Sequence, residues 1–197
     1  MKISNIVISI FFITSNQFLI GQQDNSKTEE AFLNQIESTE TPVSLGSNDN
    51  ITNQALILQM GSGNYASIDQ STQGINLPGN IAELIQNGDV NNAVLTQFGN
   101  GNSHIINQSG NGNILEASVI GNNNSSTIDQ LGNNNVINQD LVGNDMAFIL
   151  SQIGNSNEIS QVEIDYNPRQ YEIRQEGDGM KVTIINGGIG SLIQIKK

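Results

Sequence analysis

Apolar and polar residues alternate along most of the chain, in short segments separated by glycine and asparagine. The segment from Asn91 to Gln97 is typical, because Asn91, Ala93, Leu95 and Gln97 occupy alternate positions. Successive side chains of a β-strand point to opposite faces, so these four residues share one face. An apolar or small centre flanked by amides on one face, with mostly polar residues on the other, predicts a half-buried strand.

The segments recur every eleven residues between positions 86 and 163. Three columns of residues follow this period: the first is mostly glutamine, the second is always glycine and the third is mostly asparagine. The columns are Gln86, Gln97, Gln108, Val119, Gln130, Leu141 and Gln152; Gly88, Gly99, Gly110, Gly121, Gly132, Gly143 and Gly154; and Asn91, Asn102, Asn113, Asn124, Asn135, Met146 and Asn157. A fixed period of this kind indicates a repeat architecture.

Each predicted strand is followed by the turn Gln-x-Gly-x-x-Asn. Glycine adopts positive φ without steric cost, and Asn and Gly are strong turn formers. Two strands and two turns then make one coil of 22 residues. Stacked coils form two parallel, in-register sheets across a narrow core. We therefore predict an all-β fold, a β-solenoid of about six to seven coils with two strands per coil.

In-register stacking places equivalent residues of successive coils ~4.8 Å apart, so that glutamine stacks on glutamine and asparagine on asparagine. A buried amide without a partner costs ~1–3 kcal/mol, so such ladders also enforce the register. The predicted ladder residues are Asn53, Gln59, Asn64, Gln70, Asn80, Gln86, Asn91, Gln97, Asn102, Gln108, Asn113, Asn124, Gln130, Asn135, Gln152, Asn157 and Gln175. The predicted turn glycines are Gly61, Gly88, Gly99, Gly110, Gly121, Gly132, Gly143, Gly154, Gly177 and Gly188.

The repeats occupy residues 48–197, with two slips of register. Five extra residues fall within 72–79, and one falls between Glu163 and Gln175, near Pro168. Proline and glycine mark both places as loops. Residues 1–21 combine a basic start with a short apolar run and are predicted to be a secretory signal peptide. Residues 22–47 follow no period and are predicted to be a flexible acidic leader.

Composition narrows the possible functions. The net charge of −12 argues against a nucleic-acid partner, because phosphate binding needs basic clusters. The absence of cysteine excludes a disulfide framework and a thiolate nucleophile. His104 is the single histidine and has no recognisable catalytic partners, so we expect a packed residue and no enzyme activity. No cofactor is expected, and calcium is disfavoured because the glycine-rich turns carry asparagine where calcium-binding repeats carry aspartate.

The intact pattern Gln-x-Gly-x-x-Asn-x-Ala-x-x-x-Gln occurs at residues 59–70 and 86–97. It resembles the curlin repeat of curli subunits, the secreted bacterial functional amyloids, and the resemblance covers residues 48–197. The resemblance implies export through a dedicated outer-membrane pore with accessory factors. It also implies assembly with itself and with homologous subunits into surface fibres that serve adhesion and biofilm.

Some positions depart from the family pattern. Val119 and Leu141 replace glutamine, Met146 replaces asparagine, and His104, Leu115 and Phe148 replace alanine. Five of the seven basic residues lie in the last part of the chain: Arg169, Arg174, Lys181, Lys196 and Lys197. A basic, atypical last repeat is similar to that of the minor curlin subunit, which nucleates fibres and holds them at the cell surface. Terminal solenoid repeats are also often atypical for stability alone.

Three functions follow as hypotheses. The leading one is a self-assembling fibre subunit, because unpaired strand edges at both ends of the solenoid would accept a matching coil. Within this hypothesis a nucleating or surface-anchoring subunit is favoured, with a major fibre subunit as the alternative. The second hypothesis is a monomeric surface-binding solenoid such as an adhesin or an ice-binding protein. Ice binding is disfavoured because the outer positions Val94, Glu116 and Thr127 do not form a uniform threonine row. An enzyme on a β-helix is the least favoured.

Overall fold

The computed structural model describes residues 6–13, 53–73, 77–165, 167–186 and 191–196. Every regular element within these residues is a β-strand. The predicted leader, residues 22–47, and the predicted site residues Gly188 and Lys197 lie outside the described residues. In the described part of the chain, no helix is long and apolar enough to cross a membrane.

Fourteen strands are described. They are β1 Ile6–Ile13, β2 Asn53–Met60, β3 Tyr65–Ser71, β4 Ile81–Asn87, β5 Asn92–Phe98, β6 Ser103–Ser109, β7 Ile114–Ile120, β8 Ser125–Leu131, β9 Val136–Val142, β10 Ala147–Ile153, β11 Glu158–Ile164, β12 Gln170–Glu176, β13 Lys181–Ile185 and β14 Ser191–Lys196.

The strands form two sheets in which every pairing is parallel. The order of the eight-stranded sheet is β1-β2-β4-β6-β8-β10-β12-β14, and that of the six-stranded sheet is β13-β11-β9-β7-β5-β3. From β2 onward, consecutive strands therefore alternate between the sheets, and the chain completes about five turns from β3 to β13. The prediction of an all-β solenoid with two strands per coil and two parallel sheets is confirmed.

The register departs from 22 residues where extra residues are inserted. Gln86 hydrogen-bonds to Gln59, 27 residues earlier, so the loop before β4 absorbs five extra residues outside the sheets. Gln152 bonds to Gln175, 23 residues later, across the loop that contains Pro168. At the C-terminal end the column changes again, because Gln175 pairs in register with Ile195. The 22-residue period of the coils would place Lys197 at this position, so the last strand lies two residues out of that register.

A narrow apolar core lies between the sheets. On the eight-stranded side its central column is uniformly aliphatic: Ile57, Leu84, Ile106, Ile128, Leu150 and Ile173, all fully buried. The matching column of the six-stranded sheet begins with Ile68, Leu95 and Ala117 and continues as Gln139 and Gln161. Alternate residues of most strands are buried, as the two-residue period of a strand requires.

At the N-terminal edge, a strand from the predicted signal peptide covers one of the two sheets. Strand β1 pairs with β2 over its whole length, from Ile6 opposite Asn53 to Ile13 opposite Met60. Strand β3, in contrast, is the terminal strand of the six-stranded sheet. The described N-terminal end of the repeats is therefore covered on one sheet and terminal on the other.

Successive turns of the solenoid pass very close to one another at the first glycine of each turn. A Cβ atom on Gly110 would lie 2.0 Å from the carbonyl oxygen of Gly132, and φ of Gly110 is +114°. Both observations exclude a side chain, because the obstacle is backbone and because L residues rarely adopt this φ. The third turn residue is less restricted: Gly112 has φ of +66°, and Asn134 has φ of +55° at the equivalent position of the next coil.

Gly110→Ala is therefore expected to destabilise the solenoid by roughly 2–5 kcal/mol, from backbone strain and steric overlap together. Gly112→Asn is the matched control in the same turn. A Cβ atom added there meets only the flexible Oδ1 of Asn134, at 2.7 Å, and should cost less than about 1 kcal/mol. Urea unfolding followed by circular dichroism measures both; equal losses for the two variants would contradict the close-approach argument.

Candidate functional site: stacked amide ladders

One glutamine ladder runs through the eight-stranded sheet from β2 to β12. Each Nε2 donates to the Oε1 of the glutamine in the next coil, at distances of 2.5, 2.7, 2.8, 3.1 and 2.8 Å. The ladder consists of Gln59, Gln86, Gln108, Gln130, Gln152 and Gln175, all buried. Six stacked amides are thus joined without a gap, although the chain has two insertions along the way.

The same side chains also join the two sheets. Nε2 of Gln86 donates a second hydrogen bond to the backbone carbonyl of Tyr65, at 2.9 Å, at the start of β3. Gln108 makes the equivalent bond to Asn92, and the pattern continues up to Gln175. Each amide from Gln86 to Gln152 therefore uses both of its protons, one along the stack and one across it.

The glutamine ladder of the six-stranded sheet is short. Gln70 donates to Gln97 at 2.7 Å, and the column then continues with Val119 and Leu141. A second ladder starts two residues earlier in the strand, where Gln139 donates to Gln161 at 2.8 Å. Amide and apolar columns thus exchange places between β7 and β9, an arrangement that the eleven-residue columns did not reveal.

Asparagines connect the corners of the coils. Backbone N–H and Nδ2 of Asn102 donate to Oδ1 of Asn80 at 3.0 Å, and Nδ2 also donates to the carbonyl of Gly121 at 2.8 Å. The same pair of contacts, to an asparagine and to a turn glycine, recurs at Asn113, Asn124 and Asn135. Hydrogen bonds at other corners are made by the side chains of Asn53, Asn64, Asn91 and Asn157.

A further set of ladders on the outside of the turns was missed by the sequence analysis. In the turns that begin at Gly88 and the later first glycines, the residue after that glycine accepts a backbone N–H from the preceding coil. One row consists of Asp89, Asn111, Asn133, Asn155 and Asp178, and the other of Asn100, Asn122 and Asn144. The signal in the sequence is a column of Asn and Asp, but these residue types are so frequent in turns that the column by itself indicates only a turn preference.

The C-terminal coils contain a buried polar cluster in place of a glutamine ladder. The hydroxyl of Tyr171 donates to Glu163, and Nε2 of Gln161 donates to the same hydroxyl at 2.8 Å. Nε of Arg169 lies 3.5 Å from Oε2 of Glu163, so the buried carboxylate has a cationic neighbour. Burial and the Glu163 carboxylate raise the pKa of Tyr171 above its ordinary value. Phe148 packs on Tyr171 with ring centroids 4.7 Å apart.

The basic residues described with their side chains are ion-paired within the chain. Arg169 contacts Asp165 as well as Glu163; the Asn167 backbone and the hydrogen bond from Arg169 hold the pKa of Asp165 below its usual range. Nε of Arg174 lies 2.5 Å from Glu176, and Nζ of Lys181 lies 2.5 Å from Glu158. The backbone of Lys196 ends β14. A cell-surface role for these residues stays a prediction.

His104 lies in the core between Ala82 and Ser126 of the neighbouring coils. Nε2 of Gln97 donates to Nδ1 of the ring at 2.8 Å, so the neutral ring carries its proton on Nε2. Burial lowers the pKa of His104 to about 3. The ring is therefore neutral at pH 7 and sealed from solvent.

The glutamine ladders have a direction. Every Nε2 donates toward the C-terminal coil, so the first glutamine of each ladder keeps an Oε1 that no coil before it fills. Among the described residues, the buried Oε1 atoms of Gln59, Gln70 and Gln139 have no hydrogen-bond partner. These three atoms are the N-terminal ends of the three ladders.

Gln108→Leu is expected to destabilise the solenoid by about 1–3 kcal/mol. The substitution leaves the buried Oε1 of Gln130 without its donor, whereas Gln86 keeps its bond to Tyr65. Asn138→Thr, which replaces an exposed amide on β9 of the other sheet, serves as the control and should change stability by less than about 0.5 kcal/mol. Chemical denaturation of the two variants measures the difference, and an unaffected Gln108→Leu protein would rule out a stabilising ladder.

Acidification is expected to destabilise the protein through His104. The folded-state pKa, about 3, lies below the ordinary value of 6.5, so the unfolded chain binds the extra proton first. The contribution of the neutral His104 ring to the free energy of unfolding is fully present above pH 6.5 and is lost progressively as the pH falls toward 3. His104→Ser, which copies Ser126 of the next coil, should reduce the stability difference between pH 7 and pH 4 by about 3 kcal/mol. Unfolding curves at both pH values test this; parallel pH profiles for the two proteins would refute it.

Residues 79–110 match the family model of the curlin associated repeat. No curated protein and no solved structure matches the chain. The matched segment contains β4, β5 and β6 and three residues of the glutamine columns, Gln86, Gln97 and Gln108. The chain thus contains a curlin associated repeat in this segment, and the same columns and turns continue on both sides of it, as the ladders show.

Proposed function

We propose that the chain is a subunit of a secreted curli-type amyloid fibre on a bacterial surface. The observation that carries the proposal is the stacking itself: parallel strands joined in register by continuous amide ladders, ending in edge strands. An identical arrangement between chains is the cross-β packing of a fibril. The fold and the curlin repeat together support a curli-type subunit.

A fibre follows from the geometry of the ends. The N-terminal and C-terminal edges of a solenoid are different surfaces, so the contact between two chains is head-to-tail. A head-to-tail contact that does not close into a ring produces a filament. Homologous curlin chains would fit the same edges, since they repeat the same spacing of glutamine and asparagine.

The acidic charge of the chain favours controlled over premature assembly. Outward-facing acids, among them Glu116 and Asp140, lie on the six-stranded sheet between exposed apolar residues such as Ile114 and Ile120. Charged residues beside apolar strand positions oppose aggregation before the strands find their register. A net charge of −12 adds long-range repulsion between unassembled chains.

Within the fibre, a nucleating or surface-anchoring position is proposed in preference to that of the major subunit. Support comes from the last coils, where the glutamine column passes from Gln175 to Ile195 and a buried cluster forms around Glu163. The C-terminal segment also holds most of the basic residues, of which Lys196 and Lys197 close the chain. Adhesion and biofilm are the proposed uses of the fibre, and the secretion pore is a proposed partner.

No catalytic role is proposed. His104 is sealed in the core, and the residues that the structure describes contain no cluster of His, Asp and Glu arranged to hold a metal ion. A monomeric ice-binding or adhesive solenoid is less well supported, because the outward column Val94, Glu116, Asn138 and Ser160 changes character at each coil.

The purified chain is expected to form thioflavin-positive fibres with meridional diffraction at ~4.8 Å, because new coils extend existing ladders. Electron microscopy and fibre diffraction measure this. The Gly110→Ala protein, in which adjacent turns cannot approach, is the control and should form fibres more slowly. A wild-type chain that stays monomeric for days at high concentration would overturn the fibre proposal.

The same assay separates the nucleating role from that of a major subunit. A sub-stoichiometric amount of the chain should shorten the lag phase of fibre formation by a homologous curlin-repeat chain that has glutamine at every ladder position. Exchange of Lys196 and Lys197 for glutamine should reduce retention at the cell surface but leave this seeding intact. A chain that forms fibres but does not shorten the lag is an ordinary fibre subunit.

A further inference from the structure

The two ends of the solenoid differ in what they offer to a ladder. At the N-terminal end, Gln59 in β2 and Gln70 in β3 each hold a buried Oε1 without a partner among the described residues. In the interior, the equivalent Oε1 atoms of Gln86, Gln97 and the later glutamines of both ladders receive an Nε2 donor from the preceding coil. A buried carbonyl without a donor is costly, so both positions favour one more glutamine coil in front of them.

The C-terminal end does not offer the matching donors. In the eight-stranded sheet, the register position that follows Gln175 is Ile195, a residue type without a side-chain donor. In the six-stranded sheet, the glutamine column has already changed to Val119 and Leu141. A second copy of this chain that stacks its last coil on the first coil would therefore leave Gln59 without a donor.

We infer that the first coil, β2 and β3, is a docking surface for the glutamine-bearing last coil of a homologous curlin-repeat chain. That coil would donate one Nε2 to Oε1 of Gln59 and another to Oε1 of Gln70, and so extend both ladders in the direction that they already have. The inference rests on the proposed fibre function and adds the end at which a homologue binds and the chemistry that selects it.

In the full-length chain, half of this surface is covered by β1, which lies within the predicted signal peptide. It pairs with β2 in register, and Phe12 lies opposite Gln59. Phenylalanine has no side-chain donor, so β1 supplies the backbone pairing but not the amide bond. Once the predicted signal peptide is removed, β2 is the terminal strand of its sheet as β3 is of the other, and an incoming glutamine coil supplies the hydrogen bond that β1 cannot make.

The chain itself contains a suitable probe. Residues 80–101 form one complete coil, with Gln86 and Gln97 at the same spacing as Gln59 and Gln70. A fluorescein-labelled synthetic peptide of this sequence is titrated into monomer that lacks the predicted signal peptide, residues 1–21, and anisotropy measures its affinity. The comparison peptide carries Gln86→Leu and Gln97→Leu, which remove both donors and keep the apolar surface.

The glutamine peptide is expected to bind the wild-type chain about 10-fold to 30-fold more tightly than the leucine peptide, as two hydrogen bonds predict. On the Gln59→Leu/Gln70→Leu chain this preference should disappear or reverse, because the acceptors are gone. Gln175→Leu, at the other end of the same ladder, is the matched control and should leave the preference unchanged.

Equal binding of the two peptides to the wild-type chain would overturn the inference, as would a preference that is lost in the Gln175→Leu chain instead. The peptide comparison on wild-type protein stands even if a substituted chain fails to fold. Because the assay uses monomer, its result is independent of fibre formation. Fibres without peptide selectivity would contradict this inference alone, and selectivity without fibres would contradict the proposed function alone.

Discussion

The directional hydrogen bond between stacked side-chain amides is the interaction on which the rest of this structure depends. Each interior glutamine of the long ladder accepts from the coil before it, donates to the coil after it and holds the opposite sheet with its second proton. A shift of one residue would break all three contacts and would also turn every side chain to the other face of its sheet. Register is therefore maintained along the whole column, including the positions where the loops have different lengths.

Two constraints make this ladder possible. The turns approach so closely that the first glycine of each coil has no room for a Cβ, as at Gly110. The insertions near Pro78 and Pro168 leave the strand pairing unchanged, because both are confined to loops. A repeat protein accepts extra residues in this way, since each coil contacts only its neighbours and the cost of a longer loop stays local.

The sequence predicted much of this architecture because the ladders impose identical residues at identical positions. The glutamine, glycine and asparagine columns were sufficient for the strands, the turns, the two sheets and the inserted loops. The exchange between Gln139 and Leu141 was not predictable in the same way. Both residues face the core from one strand, and a pattern of apolar and polar positions does not show which of two inward positions carries the amide.

Other features were missed for different physical reasons. The turn ladder of Asn111 and Asn133 is exposed, and exposed asparagine in a turn has a local explanation that needs no stacking partner. The contacts between Tyr171, Gln161 and Glu163 join residues of neighbouring coils that no fixed spacing connects, so only the folded chain brings them together.

The direction of the ladders bears on where a stack of such coils ends. A ladder of amides has no natural end, because each added glutamine presents a further donor or acceptor to the next. It stops only where a residue of another type occupies the column, as Val119 does in one sheet and Ile195 does by its register in the other. Apolar residues at these positions pack inward but leave the neighbouring amide of the ladder without a partner. An apolar residue at the end of the column also removes the unpaired amide that would select a glutamine-bearing coil. A few positions therefore decide whether one end of a stable solenoid binds another chain.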